Sequence, residues 1–90
     1  MQYLEIADKT THVVKTGAGI LSGIVVNNAG SSWTLQIFDQ TSAAAPAIAG
    51  ATAFTCPAAG SFLAYNCYFS TGLTIVGAGT TAGSITVIYG

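Results

Sequence analysis

Ninety residues suffice for one domain, with 51% of them hydrophobic and only 6% charged, against about 25% charged in an ordinary soluble domain. A net charge of −1 with two basic residues excludes nucleic acid as a partner, because phosphate binding needs clustered Lys and Arg. A helical membrane span is excluded too, since Gly, Ser, Thr and Asn break every apolar run before about 18 residues.

The charged side chains are Glu5, Asp8, Lys9, Lys15 and Asp39, and Gln40–Gly90 carries none. A surface this neutral is expected to be covered by other protein, because a solitary domain relies on charge to resist association. The opening MQYLEIADK has neither a basic n-region nor an apolar h-region. No cleaved signal is therefore expected, and synthesis in a reducing cytoplasm follows.

Taken in chain order, short runs rich in Val, Ile, Thr and aromatics alternate with Gly, Asn, Ser and Pro, which is the signature of strands and turns. Tyr3–Ile6 reads as a short strand and Thr11–Thr16 as the next, within a charged N-terminal arm of about residues 1–15. The turn TGAG leads to Ile20–Asn27, and NNAGSS leads to Trp33–Asp39. The alanine-rich Ser42–Ala51 is expected to be a loop or a single turn, because Pro46 and Gly50 interrupt a helix. Ala51–Cys56 and Ser61–Ser70 flank PAAG as a predicted hairpin. Leu73–Val76 follows, then GAGTTAG as a joint, then Ser84–Tyr89. Seven or eight evenly spaced strands in one domain, residues 1–90, predict an all-β antiparallel sandwich, with jelly-roll wiring as a candidate.

Strand periodicity sets the faces. Trp33, Leu35 and Ile37 share one side, and Leu63, Tyr65, Cys67 and Phe69 share another. The opposite sides still carry Phe38, Phe62, Tyr68, Val76 and Ile88, where a solvated sheet face should be polar. Phe38, Phe62, Tyr68 and Ile88 are therefore the expected contacts between subunits.

Chemistry is sparse. In the predicted hairpin Cys56 lies opposite Ser61 or Phe62, which puts Cys67 roughly 17–20 Å away along the partner strand. A disulfide needs Cα atoms within about 7 Å, so two free thiols are expected. His12 is the single histidine, and Glu5, Asp8 and Asp39 show no convergence, so no catalytic residue, metal site or cofactor is predicted. Gly17-Ala-Gly19 and Gly77-Ala-Gly79 lead into β-rich runs rather than helices and read as turns, not phosphate loops. Trp33, Tyr65 and Tyr68 form a conceivable sugar platform, although core and interface packing uses the same rings.

The run VKTGAGILSGIVVNNAGSSWTLQIFD, with FSTGLTIV and AGSITVIYG, resembles small virion proteins of tailed bacteriophages over most of the chain from Val14. The resemblance implies a β-sandwich serving as a capsid cement, or decoration, protein on the virion surface. It would be a homo-oligomer, with a trimer favoured, and its partner would be the major capsid protein. No catalytic residues are implied. The capsid contact is expected on the N-terminal arm, at Tyr3, Glu5, Lys9 and Lys15. The alternatives are a tail-tip or head-fibre module that binds the host surface, or a lectin-like carbohydrate-binding domain.

Overall fold

Trp33, Leu35 and Ile37 alternate with Thr34 and Gln36, and this period of two puts three large side chains on one face of a strand. The same alternation repeats along the chain. In a computed structural model, which describes the backbone of residues 1–90 and every side chain except that of Ala51, it yields eight strands and no helix. These are β1 (Gln2–Ile6), β2 (Thr11–Thr16), β3 (Gly19–Asn28), β4 (Ser31–Phe38), β5 (Ala47–Thr55), β6 (Phe62–Phe69), β7 (Gly72–Thr81) and β8 (Ser84–Tyr89).

The strands form two antiparallel sheets: sheet I in the order β1-β8-β3-β6 and sheet II in the order β2-β7-β4-β5. The pairs β1–β8, β2–β7, β3–β6 and β4–β5 are nested inside one another, and β3–β8 and β4–β7 join them. A ribbon of nested pairs folded across two layers is a jelly roll.

The core lies between the sheets. Leu21, Ile24 and Val26 of β3 and Ile85 and Val87 of β8 face Trp33, Leu35 and Ile37 of β4 and Leu73 and Ile75 of β7, all at most 1% exposed. Each such side chain contributes roughly 1.5–3 kcal/mol by leaving water.

Several expectations need correction. Residues 1–15 are not an arm: β1 is an edge strand of sheet I and β2 an edge strand of sheet II. Backbone pairing to β8 and β7 holds both segments down. Ala47–Ala51 begins β5 instead of belonging to a loop. GAGTT is not a joint but the second half of β7, in register with β4: Trp33 pairs with Gly79 and Leu35 with Gly77. A Cβ on Gly79 would collide with the Ser32 carbonyl.

Nor does PAAG turn a hairpin. It carries the chain from sheet II to sheet I, since β5 pairs with β4 and β6 with β3. Both cysteines are free, as expected, but the hairpin from which this was argued does not form.

Candidate interaction surface

The site begins with side chains that alternation turns away from the core. Across sheet I, Tyr3 of β1 pairs with Ile88 of β8, Ile88 with Gly23 of β3, and Gly23 with Ala64 of β6. One row further on, Glu5, Thr86, Val25 and Phe62 align in the same way. Ile20 and Tyr68 pair at the far end of β3 and β6. Tyr68 is 83% exposed, Tyr3 77% and Phe62 55%.

Gly23 helps make this face continuous. A Cβ there would lie 2.5 Å from Cζ of Phe62, so the phenyl ring occupies the space a side chain would take. An aromatic ring lying over a strand glycine shields backbone that would otherwise be open.

The outer face of sheet I is divided along its strands. At one end Glu5 accepts from Ser84 Oγ at 2.6 Å, and Asn27 Nδ2 donates to Thr86 Oγ1 at 2.9 Å, which makes a polar strip. At the other end the side chains of Met1, Tyr3, Ile20, Tyr68 and Ile88 carry no charge. The outer face of sheet II differs in kind. Its aligned residues include Thr11, Val76 and Gln36 in one row and Thr34, Ala78 and Thr55 in another.

Phe38 departs from the expected interface set. It lies on the outer side of sheet II, not sheet I, and is only 7% exposed. Its register partner Thr74 is fully buried and donates to the Gln40 carbonyl at 2.6 Å, so the segment after β4 turns back over this part of the face. Phe62 and Tyr68 are exposed on one face with half-buried Ile88.

The four residues expected to touch the capsid come from three different elements. Tyr3 and Glu5 lie on β1, while Lys9 sits between β1 and β2 and Lys15 on β2. Tyr3 belongs instead with Phe62, Tyr68 and Ile88. Sequence reasoning had no means to join them, because only the β1–β8 pairing does so. Lys9 Nζ donates to the Thr80 carbonyl at 3.0 Å and Lys15 Nζ to the Gly90 carbonyl at 3.1 Å.

The remaining polar groups serve local structure. Asp39 accepts from the backbone N–H groups of Ser70, Thr71 and Gly72 and from Ser70 Oγ, capping the β6–β7 turn. Those donors hold its carboxyl below the usual aspartate value. Asp8 is also lowered, chiefly by its 2.7 Å contact with His12 Nε2 and by Thr10. Burial pushes up the thiols of Cys56 and Cys67, with Asp39 adding to the effect on Cys67. A nucleophilic cysteine needs the opposite shift. Trp33 is fully buried, so Trp33, Tyr65 and Tyr68 form no common sugar platform. Among the described residues no group of three or more His, Cys, Asp or Glu gathers to hold a metal, and no helix is long and apolar enough to cross a membrane.

Compared with protein-family models, curated proteins and solved structures, the chain matches none.

Proposed function

We propose that the chain is a non-enzymatic structural subunit of the capsid-cement kind, which works embedded among other subunits and docks through the outer face of sheet I. The observation that carries this is the exposed aromatic part of that face: Tyr3 and Tyr68 stand away from the polar strip, Phe62 of the Glu5 row lays its ring over Gly23, and each of the three is more than half exposed. Aromatic rings bury up to about 150–250 Å² each, at roughly 25 cal/mol per Å². Covering three of them in one contact is a strong drive to associate. A subunit that binds only the assembled shell stabilises it by mass action, and many copies multiply the effect. Jelly rolls serve in capsids and in lectins alike, so the wiring supports the proposal without selecting it. The lectin alternative is weakened by the burial of Trp33.

Two measurements test the proposal. Sedimentation of the purified chain should give a homo-oligomer, a trimer being favoured, at both low and molar salt, because apolar contact is not screened. Quantification in purified virions should give a copy number comparable with that of the major capsid protein. A strict monomer at millimolar concentration with no retention on shells would overturn the proposal, and a few copies per particle would move the chain to a tail tip or head fibre.

A further inference from the structure

A second feature lies away from the core, at one edge of the sandwich. Strand β5 is an edge of sheet II and β6 an edge of sheet I, and between them opens a groove of about 410 Å³. Pro46, Ala47 and Ile48 form its apolar side, Tyr65 and Tyr68 bring two phenol rings from β6, and Asp39 supplies a carboxylate. Tyr65 is half-buried and packed against the core, while Tyr68 stands out at the rim.

The charges in this groove are one-sided. Asp39 is the single charged residue in its lining, and no basic side chain joins it. Three backbone N–H groups and the Ser70 hydroxyl fix the carboxylate in place. Its Oδ1 accepts from three N–H groups, whereas Oδ2 accepts from Ser70 alone, at 3.0 Å from N and 3.2 Å from Oγ. Oδ2 therefore carries fewer donors than Oδ1.

A preorganised anion in a groove lined by two phenol side chains fits a planar cation. A guanidinium can stack on a phenol ring while its N–H fork reaches a carboxylate in the ring plane, which the compact ammonium of lysine does less well. From these contacts we infer that the groove receives an arginine side chain of a partner protein. The chain has no arginine of its own, and both of its lysines donate to its own backbone, so the ligand comes from a different protein. The groove adjoins the sheet I surface and shares Tyr68 with it, while Asp39, Pro46, Ala47, Ile48 and Tyr65 belong to the groove alone.

The test is an NMR titration of the full chain with N-acetyl-arginine amide, run beside its neutral isostere N-acetyl-citrulline amide and a methyl glycoside. The arginine probe should give saturable shifts at Ile48, Tyr65 and Tyr68, and citrulline and sugar should not. Tyr68→Ala, at an exposed ring, should weaken binding about fivefold, and Asp39→Asn should abolish it. Equal binding of citrulline, binding of the glycoside in place of arginine, absence of any saturable shift, or unchanged affinity in Tyr68→Ala would each overturn the inference. Because Asp39 also caps the β6–β7 turn, the Tyr68 variant decides the matter if Asp39→Asn unfolds.

Discussion

The Trp33 indole rests on the bare backbone of Gly77: a Cβ at position 77 would stand 3.0 Å from Trp33 Nε1 and 2.8 Å from the Asp8 carbonyl. Strand β4 can present its largest side chain to the core because β7 presents none opposite it. The fit has a cost, since Nε1 is buried with no hydrogen-bond partner among the described residues. Gly77→Ala should therefore destabilise the fold by about 1–3 kcal/mol through overpacking, read from the midpoint of chemical denaturation. A variant as stable as the parent would show that the indole has room to shift.

The rings of sheet I should control association far more than stability. Tyr3→Ser, at a side chain 77% exposed, should change folding stability by less than about 0.5 kcal/mol. The same change should shift the sedimentation profile toward monomer. Phe62→Ser should loosen association too, but with a measurable loss of stability, because its ring also covers Gly23. If both variants sediment like the parent, sheet I is not the contact surface.

Acid should unfasten the β6–β7 turn. Asp39 has a lower pKa folded than unfolded, so its contribution is fully present above the ordinary aspartate range and is lost as pH falls through that range and below. Denaturation midpoints should therefore decline below about pH 4, and Asp39→Asn should flatten part of that decline. An identical acid limb in the two proteins would mean the turn donors do not favour the ionised carboxylate.

The two thiols should respond slowly to alkylating reagents at neutral pH. Cys56 is buried and Cys67 half-buried, and burial holds both in the protonated form. Thiol titration should show Cys56 reacting only on unfolding, with Cys67 faster but slower than a free thiol. Cys67 also lines the groove beside Asp39, and a fast-reacting thiol there would point to an activating group in it.

Much of this architecture was legible from side-chain alternation. Trp33, Leu35 and Ile37 declared one face of β4, and Leu63, Tyr65, Cys67 and Phe69 declared the inner face of β6; these faces stand. What failed was punctuation. Glycine clusters and PAAG look alike whether a chain reverses within a sheet, passes between sheets, or makes space for a neighbour's ring. Gly77 is of the last kind, and only the position of Trp33 reveals it. Phe38 was placed on the outer side correctly, yet the Thr74–Gln40 hydrogen bond shows how a loop covers that side, and periodicity does not report loops. The surface was half visible: Phe62, Tyr68 and Ile88 follow from alternation, whereas Tyr3 joins them through a partner strand from the far end of the chain.

That last pairing bears on how the molecule is made. Of the six strand pairings, β4–β5 alone joins neighbours in sequence, and Gln2 must wait for Tyr89 before β1 has anything to bond. Closing loops of such length is slow, in the range of milliseconds to seconds for β-rich domains. During synthesis sheet I, and with it the cover for the core face of sheet II, cannot close until Ser84–Tyr89 has emerged, and that interval is when nascent copies are most at risk of sticking to one another.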